Sequence, residues 1–168
     1  MGKAILLFII MLAAMFTCYA QSIEENFKKI KKKRTGNYVI TGSLVLVAGA
    51  ADGVNQALQF QYGGFKNVFP HASDQFWKPA LSGANKYKNG DPRQGAKYPG
   101  SRTWLVFTTD GYHLTRFADH LFMSGAVAFK LAGYEKRKWY IYIAEAAGYW
   151  LLNRAGFCMT YNRLKCYP

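Results

Sequence analysis

The chain has 168 residues, with 22 Lys and Arg against 9 Asp and Glu, and 17% of its residues are aromatic. A surplus of base on this scale calls for an anionic partner: nucleic acid, anionic lipid or an acidic polymer. The zinc-type Cys/His spacings and the aromatic-basic RNA-binding signature are both missing, so no nucleic-acid partner is expected; an anionic membrane surface or an envelope polymer fits better. The aromatics are spread along the chain, which is the composition of a packed domain rather than a disordered one.

The elements are predicted in chain order. Met1-Gly2-Lys3 is a short positive start, Ala4 to Ala14 an unbroken apolar run, and Cys18-Tyr19-Ala20 puts small residues at a cleavage site. That order predicts a signal peptide over 1–20, and hence export to a periplasm or envelope membrane surface. Residues 21–36 form a basic polar segment. Ser22 with Glu25 makes a capping box, acids precede bases, and Lys28, Lys29, Lys31, Lys32, Lys33 and Arg34 form a run suited to anionic headgroups. Thr35-Gly36-Asn37 is expected to end this short helix.

Residues 37–168 are predicted to form one membrane-associated helical domain. Its class is mainly α: a small bundle of three to four helices carrying a long, ordered, aromatic-rich cap over 65–102. The first long helix runs from Tyr38 to about Tyr62. Thr41, Ala48, Asp52, Asn55, Gln56 and Gln59 fall on one face, and Gly42, Gly49 and Gly53 permit close approach of a neighbour. The cap has no clear periodicity but strong turn signals at Asn89-Gly90, Asp91-Pro92 and Pro99-Gly100. Thr103 to Thr109 is strand-like, or equally a helix entry. A helix follows over Asp110 to Ala132, capped by Thr109 or Asp110. Another spans Trp139 to Arg154, with Gly156 in its C-cap region. The apolar segments 38–51, 121–132 and 139–152 are each short for a clean span, and Lys130 and Glu145 interrupt two of them. Two readings stand: a helical domain on a membrane surface, or embedded helices whose polar stripes face one another.

The residues that could carry chemistry are few. Asp110 and His113 lie three apart on one helix face, so the carboxylate can hold the imidazole. His120 lies on the same stripe, about 10 Å further along, and Asp119 points away from it. Glu145 sits on an apolar, aromatic face and is expected to be buried, with Lys130, Arg116 or a histidine as partner. Asp52 is a third inward acid. These groups could converge in one polar pocket. The competing reading is structural: Asp110 a cap, His113 a satisfied core histidine, His120 solvent-facing, Glu145 an ion pair. As a catalytic set, Asp110, His113, His120 and Glu145 would suit a small metal- or acid/base-dependent hydrolase of a lipid or polymer phosphate, with Asp110 and His113 as metal ligands. No cofactor is indicated. Pro99-Gly100-Ser101-Arg102 resembles part of the lipid-phosphatase signature, but Arg102 stands where the histidine belongs. Cys158 and Cys166 would lie about 12 Å apart on a continuous helix, beyond the roughly 7 Å a disulfide tolerates. A bridge therefore needs a turn at Thr160-Tyr161-Asn162; free thiols are the alternative.

The Asp110-x-x-His113 pair opening an apolar helix, with Glu145 on the next, resembles YfiM-type and VanZ-like envelope proteins over residues 108–155. There an Asp-Lys-x-x-His-Phe run begins a helix and a Lys-Glu pair follows. Here the spacing is one residue shorter, Gly111 follows the acid, Leu114 replaces the phenylalanine and Ala144 precedes Glu145. Segment 50–113, with FWKP, NKYKNGD and TTDGYH, is similar to uncharacterised exported proteins. Neither resemblance implies a reaction.

Overall fold

The computed structural model describes residues 34–133 and 136–165. The expected signal peptide, the run Lys28 to Lys33 and Cys166 lie outside these residues.

The chain is mainly helical, and among the described residues no strand occurs beyond an isolated bridge, Tyr87 to Ala96. Three long helices build it. α1 is Arg34–Phe60, and the short cap helices α2 (Tyr62–Val68), α3 (Asp74–Trp77) and α4 (Pro79–Ser82) follow. α5 is Gly111–Ala132 and α6 is Trp139–Leu164. α5 returns antiparallel to α1, so that Asn37 at the start of α1 donates to the carbonyl of Phe129 near the end of α5. α6 runs parallel to α1, with Asn153 reaching the Val45 carbonyl and Thr160 the Ala50 carbonyl.

α1 is the central helix. Both α5 and α6 pack chiefly on it and scarcely on each other. Its sequence supplies two faces for this. Thr41, Val45, Ala48 and Asn55 recur at helical spacing and are buried, while Gly42, Gly49 and Gly53 lie on the side of α6. A Cβ at Gly49 would collide with the backbone of Asn153, and one at Gly156 with the backbone of Leu46. Small residues here bring two helix backbones together, a device typical of packing in lipid.

Several boundaries differ from expectation. Thr35-Gly36-Asn37 does not break the chain; it lies inside the first turn of α1, where Asn37 donates to the Phe129 carbonyl at the packed end of α5. Gly156 ends nothing, since α6 continues to Leu164 with that glycine as a contact point. The turn that a Cys158–Cys166 bridge would need at Thr160-Tyr161-Asn162 is absent: the helix runs through it, Thr160 is tied to α1, and Cys158 is a free, partly buried thiol. Of the two readings of Thr103–Thr109, the strand is not seen: the segment is a turn leading through a 3₁₀ segment at Val106–Thr108 toward α5, as a helix entry would.

The cap closes the C-terminal end of α1. Ala57, Leu58 and Phe65 pack with Leu164 of α6, flanked by Tyr62, Trp77 and Tyr161. The Asn89-Gly90 turn has φ of 52° and 74°, the positive pair that makes Asn-Gly favoured there. Ser101 is fully buried and donates to the Lys86 carbonyl at 2.9 Å, while Arg102 lies over the Tyr87 ring. The faint phosphatase-like string is thus a folded turn.

Candidate functional site

The polar residues of the bundle fall into three places rather than one pocket. The first is the start of α5. Asp110 is extended and 1% exposed, and its carboxylate accepts from the His113 amide at 2.8 Å. This is the N-cap the sequence implies. The same carboxylate lies 2.8 and 2.9 Å from His113 Nδ1 and takes the Thr109 hydroxyl at 3.0 Å. Held at Nδ1, the imidazole keeps Nε2 for other partners, and the side chain is 30% exposed. Buried Asn55 locks this turn to α1 through the Tyr112 carbonyl and the Thr115 hydroxyl, at 2.8 and 2.9 Å. Trp77 of the cap covers Gly111 so closely that no Cβ fits there.

The second place is a polar cleft of about 220 Å³ between α1 and α5, lined by Asp52, Asn55, Gln56, Arg116, Asp119 and His120. Asp52 faces inward as expected. Asp119 does point away from the Asp110–His113 stripe, but toward α1, so it belongs to this cleft. Its part in the cleft was missed because a helical wheel of α5 alone does not show which neighbour packs on which side. His120 is exposed, its Nδ1 3.7 Å from Asp119.

The third place lies at the far end of α5. Glu145, 11% exposed, pairs with Lys130 and with Arg137, each at 2.7 Å, and accepts from the Tyr38 hydroxyl. Lys130 also stands over the Tyr38 ring, 4.4 Å from its centre. Glu145 is partly buried, and its pairing with Lys130, one of the partners expected, is seen. Arg137 joins them from the connector before α6, a partner the sequence reading did not name. Lys130 and His113 are nearly five turns apart on α5, about 25 Å at 1.5 Å per residue. Glu145 therefore does not join Asp110, His113 and His120 in one catalytic set.

Among the described residues no three His, Cys, Asp or Glu side chains are grouped to hold a metal ion. Asp110 and His113 supply two donors whose facing atoms are already bonded to each other, so the pair does not form a metal centre by itself.

Outside these places many large apolar side chains are exposed. Leu121, Val127 and Leu131 of α5 are exposed, as are Trp139, Tyr140, Ile143, Trp150, Leu151 and Met159 of α6. Thr41, Asn55, Asp110 and Thr115 are buried. Gly36–Phe60 is the one described helix long and apolar enough to cross a membrane by length and composition.

Comparison with known proteins gives no match to any family model, curated protein or solved structure.

Proposed function

We propose that this is an exported envelope protein that embeds its three long helices in a membrane and serves a structural or binding role there. One observation carries the reading: the long helices leave many large aliphatic and aromatic side chains exposed, among them Leu121, Leu131, Trp139, Ile143, Trp150 and Leu151, while Thr41, Asn55 and Thr115 are buried. A water-soluble domain rarely exposes a contiguous apolar surface of this kind. In lipid the arrangement is favourable, because outward Leu, Ile and Trp meet hydrocarbon and the paired Glu145 and Lys130 meet each other. The helices suit it in length: 27, 22 and 26 residues, against the ~20 needed to cross a ~30 Å hydrocarbon layer. The likeness of residues 108–155 to YfiM-type and VanZ-like envelope proteins points the same way.

The test is extraction. Expressed in cells, the full chain is expected in the membrane pellet after an alkaline carbonate wash and to be released by detergent. Recovery in the aqueous fraction, as a monomer or an oligomer, would overturn the reading.

A second reading, a small acid/base hydrolase of a lipid phosphate, is favoured by one observation, the Asp110-held His113 with its free ring nitrogen. It predicts phosphate release from a lipid phosphate by reconstituted protein, lost in His113→Ala. No release from the wild-type chain would exclude it.

A further inference from the structure

The end of the bundle where α6 begins carries charge that the embedding reading does not use. Lys136, Arg137 and Lys138 stand in succession before Trp139. Arg137 turns inward to Glu145 and Tyr38. Lys136 and Lys138 are exposed, and among the described residues neither has a carboxylate partner. With Tyr38, Arg137, Tyr140 and Ile141 they line a shallow cleft of about 740 Å³.

The walls of this cleft are of two kinds. One is cationic. The other is aromatic and aliphatic and includes Tyr140, which at helical spacing heads the outward face of α6, where Tyr140, Ile143, Trp150 and Leu151 are 52%, 60%, 66% and 60% exposed. Trp139, 72% exposed, stands beside it. Tyr and Trp at a helix end belong at headgroup depth, where the ring is in an apolar layer and its polar edge is wet. Lysines next to them reach the phosphates of that layer and are attracted by anionic lipid. No acid lies in the first turn of α6 to oppose this.

We infer that this cleft binds an anionic phospholipid, with Lys136 and Lys138 on the headgroup phosphate and Tyr140 and Ile141 against the glycerol and upper acyl chain. The inference rests on the embedding reading. Lipid is favoured over a free phosphate because the apolar wall continues into the lipid-facing stripe, which a soluble anion would not use.

The test uses the full chain in detergent and follows thermal unfolding as phosphatidylglycerol or phosphatidylcholine is added. The wild-type Tm is expected to rise by several degrees with phosphatidylglycerol and little with phosphatidylcholine. Lys136→Gln/Lys138→Gln is expected to remove most of that difference. A variant with Lys28 to Lys33 neutralised is expected to keep it. The inference is overturned if the wild type shows no preference, if the double variant retains it, or if inorganic phosphate gives the same rise. It is also overturned if the preference depends on Lys28 to Lys33 instead. Release by carbonate would sink the embedding reading itself, so the two failures are distinguishable.

Discussion

Single residues carry definite loads. Gly156 has no room for a side chain against the α1 backbone, so Gly156→Val must push α6 off α1. Overpacking costs roughly 1–3 kcal/mol, and collision with backbone rather than a flexible side chain puts this case at the upper end. Thermal unfolding of the variant in detergent measures it; a wild-type Tm would contradict the close packing. Asp110 has two duties, cap and imidazole holder. Asn caps as well as Asp, whereas Ala loses about 1 kcal/mol. Asp110→Ala is therefore expected to melt early and Asp110→Asn near wild type. In the cap, Asp74 accepts from Lys66 at 2.7 Å and from the Tyr62 hydroxyl at 3.0 Å. These bonds, that from Lys66 first, hold its carboxyl below the ordinary value, while burial and then Asp74 push Tyr62 up to about 12. The signs follow from linkage. The depressed acid adds stability above its unfolded pKa of about 4, and that contribution is lost as pH falls through the folded value. The raised phenol adds stability below about 10, the unfolded value, and that contribution is lost as pH rises toward 12. Trp77 fluorescence against pH should show both limbs, with Asp74→Asn removing the acid one and Tyr62→Phe the alkaline one.

At the scale of elements, the contacts around Glu145 tie all three long helices together, through Tyr38 of α1, Lys130 of α5 and Glu145 itself on α6. Removing one member of a buried pair leaves a charge without a partner and costs about 3–5 kcal/mol. Glu145→Ala is expected to destabilise by less than that, because Lys130 keeps 28% of its side chain exposed, and Lys130→Ala/Glu145→Ala by less than the two single changes together, since the double variant no longer leaves Lys130 unpaired. Additive losses would show that the two residues do not act as a pair. Part of this tie was legible in the sequence. An acid on an aromatic face required a partner, and Lys130 is the lysine of the facing apolar helix. Arg137 was not legible, because a residue in a connector has no periodicity to place it. Helix existence was legible from apolar runs and from the Asp110 cap. Helix ends were not: Gly36 and Gly156 look like breakers in one dimension, yet both lie inside helices, and Gly156 proves to be a point where a second backbone comes close. Convergence of the polar groups was overread. The sequence marks inward faces on α1, α5 and α6, but inward residues of antiparallel helices meet only where their heights agree. Asp52 meets Asp119, Glu145 meets Lys130, and His113 stays with Asp110.

For the whole molecule, the embedding we propose leaves two geometries to separate: helices that cross the lipid and helices that lie along its surface. Both leave the apolar stripes in hydrocarbon, but they set the tryptophans at different depths. Trp139 opens α6 and Trp150 stands about three turns further on, roughly 16 Å along the axis. Eleven residues is close to a whole number of turns, so both project from the same side, and both are largely exposed. Trp104 is exposed on the cap segment. Single-tryptophan variants in vesicles containing lipids brominated at different depths separate the geometries. If α6 crosses, Trp150 is quenched best by bromines deep in the chains and Trp139 by bromines near the headgroup, while Trp104 is quenched little. If α6 lies flat, Trp139 and Trp150 show one shared shallow depth. The Tyr140-to-Leu151 stripe alone permits either. Under the proposed embedding, crossing is the geometry we favour: Glu145 and Lys130, 11% and 28% exposed, pair at 2.7 Å between the helices, whereas a helix lying at the interface could leave both in water.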